Sequence, residues 1–119
     1  MTKEEFRKPS EIEIAVMRRL LSADFPGKTE VEKQLEDSRV RVMDQEGSLE
    51  LRPSYSVPAP VAKRIPVEAE GIDKDKIRVH FLLHVVDGFV NELEIYKDDG
   101  SAIKCMPTPS SLRVIVLPG

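Results

Sequence analysis

The chain has one cysteine, no tryptophan, two tyrosines and four phenylalanines among its 119 residues. One thiol, Cys105, makes no internal disulfide, and no Cys/His cluster offers the ligands of a structural zinc site. That usage fits a reduced, cytoplasmic setting, with Cys105 as a small buried hydrophobe. The six glycines are isolated, with no G-x-G, which removes the phosphate-cradling loops. G-x-S-x-G is absent too, and with it the nucleophile elbow. No apolar run approaches the roughly 20 residues of a membrane span. The opening "MTKEEFRKPSEIE" lacks the apolar centre of a signal peptide. Basic residues number 18 against 21 acidic ones, for a net charge of −3, and the longest basic run is two residues. A nucleic-acid footprint is therefore not expected. Neither a membrane partner, a metal nor a cofactor is expected either.

What is present is a well-charged globular composition, 40% hydrophobic and 33% charged, at a length that suits one domain, 1–119. "PSEIEIAVMRRLLSADFPG" predicts a helix. Ser10 and Glu13 form a capping box, and Pro26-Gly27 ends the helix. Ile12, Ile14, Val16, Met17, Leu20 and Leu21 cover a wide apolar arc, with Glu11, Arg18, Arg19 and Ser22 on the other side. Such an arc belongs on a sheet. "TEVEKQLEDS" predicts a second helix, capped by Thr29 and Glu32, with Val31 and Leu35 on its inner face. The two helices occupy about residues 10–37.

From residue 39 to about 117 the period changes to that of strands. "RVRVMDQEGSLELRP" reads as a hairpin with Val42 opposite Leu51 and Asp44 opposite Leu49, Val40 and Val42 facing inward. "PSYSVPAP" is an extended proline connector in which Tyr55 anchors the loop. "VAKRIPVEAE" is a strand whose Pro66 places it at an edge or beside a bulge. "GIDKDK" is a turn, and "LRVIVLP" is the last strand.

The central stretch is "HFLLHVVDGFVNELEIYKDDGS", residues 80–101. Ile77, Val79, Phe81, Leu83 and Val85 form an apolar set that faces the core. A two-residue Asp87-Gly88 turn would carry Glu92 and Glu94 onto that face, which is costly. A three-residue Val86-Asp87-Gly88 loop keeps both faces coherent. It pairs Phe81 with Leu93, Val79 with Ile95, His80 with Glu94 and Arg78 with Tyr96. A further hairpin through Asp98-Asp99-Gly100 then pairs Ile95 with Ile103, Leu93 with Cys105 and Glu94 with Lys104. The outcome is a row His80–Glu94–Lys104 across three strands.

H-x-x-x-H, at His80 and His84, binds zinc on a helix. On a strand the two rings are roughly 13 Å apart, too far for one ion. His80 opposite Glu94, with Glu92 diagonal to it, is the better constellation for a base with an orienting carboxylate or for metal ligands. Glu92 and Glu94, about 7 Å apart by rise, also have a spacing open to a carboxylate pair. Against this, strands commonly alternate Glu outward and sugar-stacking aromatics are scarce. The polar face as a whole carries Arg78, His80, Leu82, His84, Val90, Glu92, Glu94, Tyr96, Lys104 and Met106. This mixture of apolar and charged groups suits a partner or a covering loop, here the 53–61 connector.

"RKPSEIEIAVMRRLLSADFPG" and "LLHVVDGFVNELEIYKDDGSAI" together resemble a family of small uncharacterised bacterial proteins. These open with a "KPxExE…LLxxxFPG"-like helix and carry a "VNELEIYxxDGS" strand pair. The resemblance covers most of residues 7–105, and no activity is carried over with it. Similar strand pairs occur among the small immunity proteins of bacterial polymorphic toxins.

The expectation is an α+β domain, with two N-terminal helices packed on a mostly antiparallel, meandering sheet of about six or seven strands. Its expected role is non-catalytic protein binding, immunity-like, through the mixed face or an exposed edge. The partner would be toxin-like, or a second copy that makes a homodimer of the monomer. The rival is a small enzyme or metal-dependent ligand binder using His80, Glu94 and Glu92.

Overall fold

The computed structural model describes residues 5–116. The order of elements is α1 (Glu11–Leu20), α2 (Lys28–Glu36), β1 (Arg39–Val42), β2 (Leu49–Arg52), β3 (Val67–Ile72), β4 (Arg78–Val86), β5 (Phe89–Lys97) and β6 (Arg113–Ile115). The strands form one antiparallel sheet in the order β1-β2-β5-β4-β3-β6. This is the α+β architecture expected, with six strands. It is not a plain meander, because β5 joins β2.

α1 begins at the predicted capping box. Ser10 Oγ accepts from Glu13 N at 3.2 Å, and Glu13 Oε1 accepts from Ser10 N at 2.8 Å. Val16, Met17 and Leu20 are buried, whereas Ile12, placed in the apolar arc by periodicity, is 61% exposed. Arg19, assigned to the solvent side, instead donates from Nε and Nη2 to the carbonyl of Leu112. α2 starts without the Thr29 cap. Its N-cap is Gly27, at φ +86°, and a Cβ there would stand 2.9–3.1 Å from Val61 and the Pro60 backbone. Close packing of the proline connector thus sets this helix start, not a side-chain cap.

The connector is held by Gln34, which is fully enclosed. Its Nε2 donates to the carbonyls of Val57 and Gly88, and its Oε1 accepts from Val90 N. Residues 53–61 therefore lie on the helix side of the sheet, with Ala59 in the core. Lys33 sits over the Tyr55 ring at 5.6 Å.

The β4–β5 hairpin corrects the expected register. Asp87 (φ 52°) and Gly88 (φ 85°) make the two-residue turn, and Val86 pairs with Phe89. A bulge then follows. Val85 pairs with Val90 but His84 with Glu92, so Asn91 is the extra residue. The bulge restores the parity that the tight turn alone would lose, and Glu92 and Glu94 stay off the core. Phe81 consequently meets Ile95, His80 meets Tyr96 and Val79 meets Lys97. From Glu92 onward the faces are as expected, and the partners lie two residues further on. The β1–β2 hairpin is also shifted by two, with Val42 opposite Leu49 and Val40 opposite Leu51.

The expected third hairpin does not form. Residues 101–106 make no strand, and β5 pairs with β2 through Leu49–Leu93 and Glu50–Glu92. The backbone N–H groups of Lys104 and Cys105 are taken by the buried Asp73 carboxylate at 2.7 and 2.8 Å. Cys105 is exposed, not inward. β3 lies between β4 and β6 and begins after Pro66, which stays outside the ladder; the edge placement inferred from this proline does not hold.

The core is formed by Val40, Leu49, Val67, Val79, Phe81, Leu83 and Leu93 from the sheet, with Leu20 and Val31 from the helices. Of the two outer strands, β1 is partly closed by Arg7, which exchanges both backbone hydrogen bonds with Val40.

Candidate functional site

α1, α2, the connector and Leu112 all pack on the inner face of the sheet. The outer face is assembled by alternation from four strands. Glu50 comes from β2, Glu92, Glu94 and Tyr96 from β5, His80, Leu82 and His84 from β4, and Glu68 and Glu70 from β3. At the β1 corner, Phe6 lies beneath Arg41 and Arg52, at 4.4 and 3.8 Å.

Of the residues expected on this face, Arg78, His80, Leu82, His84, Glu92, Glu94 and Tyr96 are there. Val90 is not. It pairs with Val85 on the core side of the bulge and is 2% exposed. Lys104 and Met106 lie in the irregular segment after β5, so the row His80–Glu94–Lys104 is not formed. Lys104 approaches Asp75 at 3.7 Å. Met106 lines a cavity of about 230 Å3 with Gln45, Glu46, Ala102 and Ile103.

The two histidines have separate partners. His80 Nε2 bonds Asp98, and its ring stacks on Tyr96 at 4.8 Å. His84 Nε2 lies 2.8 Å from Glu94 Oε1, and its Nδ1 accepts from Arg64 Nε at 3.0 Å. The close group is thus His84, Glu92 and Glu94, whose ligand atoms all lie within 4.8 Å of one another. The constellation expected, His80 with Glu94 and Glu92, fails because the bulge and the tight turn together move β5 along by two. Burial raises the Tyr96 phenol above its ordinary value, and the charges of Glu94, Asp98 and Glu68 add to the rise. A cavity of about 510 Å3 lies elsewhere, between α1 and α2, with Met17, Leu21 and Leu35 among its walls.

A second ionic group was not read from the sequence. Lys97 ends β5 on the core face, where its Nζ donates to Asp73, Asp75 and the carbonyl of Ala102. Burial pushes the Asp73 carboxyl up, but bonds from Lys97 and the backbone N–H groups of Lys104, Lys74 and Cys105 outweigh it and hold the carboxyl well below the usual range. Burial likewise opposes the Lys97 charge, and the bonds to Asp75 and Asp73 raise its pKa in spite of it. The signal was available: in Leu93-x-Ile95-x-Lys97 the alternation itself points the lysine inward.

An α+β domain whose outer sheet face, rich in acidic side chains, is covered by no helix or strand among the described residues defines the class. The family described as a domain of unknown function (DUF6984) matches residues 6–107, and the chain belongs to it. Searches of the curated proteins and of the solved structures gave no match. Among the described residues, no helix is long and apolar enough to cross a membrane.

Proposed function

We propose that this domain is a non-catalytic binding protein that engages another protein through the outer face of its sheet. One observation carries the reading. Both helices, the connector and Leu112 pack on the inner face. The opposite face presents Leu82, Tyr96 and two histidine rings among carboxylates. Such a patch, with an apolar and aromatic centre and a charged rim, has the composition of an interface. Face docking is better supported than strand addition, since Arg7 already occupies part of the β1 edge. An immunity-like role in a bacterial cytoplasm, with a toxin as the partner, is the specific form proposed.

The test is affinity capture from the native host, followed by calorimetry with the purified partner. Wild type is expected to bind at micromolar Kd or tighter, and Leu82→Lys with Tyr96→Ala to lose at least tenfold. Failure to recover a partner of that affinity, or equal binding by the double variant, would refute the reading.

A further inference from the structure

We infer that His84, Glu92 and Glu94 form a site for one first-row divalent cation of the Zn2+ type, bound through His84 Nε2 and one oxygen of each carboxylate. This does not rest on the protein-binding reading. Three observations lead to it.

The first is reach. His84 and Glu92 are direct cross-strand partners, and Glu94 is two residues along on the same face. Their ligand atoms lie within 4.8 Å of one another. Two ligands on one ion, each about 2.1 Å from it, are at most about 4.2 Å apart. Rotamer adjustments on the order of 1 Å close the set. The Asn91 bulge makes this possible, because it carries Glu92 and Glu94 to the face that His84 occupies.

The second is unbalanced charge. Glu92 stands directly opposite Glu50 on one side and His84 on the other. Like charges in that position repel. Among the described residues, the Glu92 carboxylate has neither hydrogen bond nor ion pair. The neighbouring arginines are committed elsewhere, Arg41 to Glu50 at 2.6 Å and Arg64 to His84. A divalent cation supplies the missing countercharge.

The third is the donor set. One imidazole and two carboxylates suit the borderline first-row ions better than Mg2+ or Ca2+, which take all-oxygen sites. With three protein ligands facing one side, the remaining coordination positions open to solvent or to a partner's side chain.

Arg64 gives the proposal a distinguishing consequence. An arginine only donates, so Nδ1 accepts and the proton of the neutral ring stands on Nε2, towards Glu94. Ligation at Nε2 releases that proton to solvent, and Nδ1 takes one up, so the ring stays neutral. Nδ1–H then faces a donor, and Arg64 must leave. Arg64 therefore competes with the cation.

The experiment is calorimetric titration of the chelator-treated full chain with Zn2+, with circular dichroism to confirm folding of each variant. One equivalent is expected to bind at micromolar Kd or tighter. His84→Asn and Glu92→Gln should each weaken binding at least tenfold, and His80→Asn should leave it unchanged. Arg64→Gln should tighten binding several-fold, because its carbonyl can accept from Nδ1–H. Glu92→Gln relieves the Glu50 repulsion and should fold at least as well as wild type, so its loss of binding cannot be ascribed to unfolding. Absence of saturable binding at 100-micromolar Zn2+ (about 5.5 kcal/mol) would overturn the proposal. So would affinity unchanged in His84→Asn, or weakened by Arg64→Gln.

Discussion

Lys97 Nζ lies 2.9 Å from Asp73 Oδ2, and neither side chain has any exposed surface. The pair ties three segments that do not pair directly with one another: the turn after β3, the end of β5 and the irregular chain through Ala102–Cys105. Removing one member strands the other. We predict that Lys97→Met lowers the thermal midpoint by on the order of 10 °C or more, since an uncompensated buried charge is costly. Adding Asp73→Asn and Asp75→Asn should recover part of the loss. Thermal unfolding followed by circular dichroism checks this; a midpoint unchanged in Lys97→Met would show that the pair contributes nothing.

These groups, together with Glu13, set the pH range of stability. Asp73, Asp75 and Glu13 all have carboxyls held below their ordinary values. For Asp75 and Glu13 the leading causes are the bonds from Lys97 and Arg7. A lowered carboxyl stabilises the fold fully above its unfolded pKa, roughly 4, and loses that contribution as pH falls through the folded value. Lys97 is shifted upward, so its contribution is full below about 10.4 and is lost as pH rises through its raised value. Denaturant midpoints should therefore be flat in this respect from about pH 5 to 9 and fall below about pH 4. Asp73→Asn should flatten the acid limb. An acid limb identical in the variant and wild type would exclude Asp73 as its source.

Asn91 is the residue on which the two sheet faces depend. With the tight Asp87-Gly88 turn, every residue after Asn91 would change faces if it were deleted. Glu92 and Glu94 would enter the core, and Leu93 and Ile95 would leave it. Deletion of Asn91 is predicted to abolish folding, whereas Asn91→Ala, which keeps the count, should cost less than about 1 kcal/mol at this exposed position. Amide NMR dispersion distinguishes the two; a dispersed spectrum from the deletion would contradict the bulge.

These cases show what the sequence made legible. Local rules worked where the partner is local. The Ser10–Glu13 box and the apolar alternation of β4 needed nothing else. Faces were readable because alternation is a property of one strand. Registers were not, since a shift of two preserves the face, and both the β1–β2 and β4–β5 pairings lie two residues from those expected. That offset alone separates the expected group at His80 from the one formed at His84. The stretch around Ile103 and Cys105 alternates like a strand, yet its backbone donors are claimed by Asp73, some thirty positions earlier. Only the folded chain makes that competitor visible.

Tyr96 reports on the charge of the outer face. Its phenol is raised by burial and by the neighbouring carboxylates, with Glu94 foremost among them. In a Tyr55→Phe background, absorbance near 295 nm follows Tyr96 alone. Its midpoint should lie above about 10, and Glu94→Gln should lower it by removing one repelling charge. Added salt should act in the same direction. A midpoint indifferent to Glu94 would place that carboxylate away from the ring.

Gln34 joins α2, the proline connector and the β4–β5 turn through one side chain. It accepts from Val90 N at 2.8 Å and donates to Gly88 O at 2.9 Å and Val57 O at 3.0 Å. Gly88 O also accepts from Ala59 N at 2.7 Å, so the turn has two anchors and the Val90 amide only the one described. Gln34→Leu fills the space but leaves that buried amide without an acceptor. The cost should be about 1–3 kcal/mol, read from the denaturant midpoint at unchanged slope. Hydrogen exchange should quicken at Val90 and at Ala59 together, because losing the glutamine frees the connector as well as the turn. Gly88→Ala attacks the same junction from the other side. Its φ of +85° is strained for any side chain, and its Cβ would meet Pro58 at 2.6 Å. The two substitutions share a junction, so their combined cost should fall short of the sum. Strict additivity would mean that the connector and the turn are held independently.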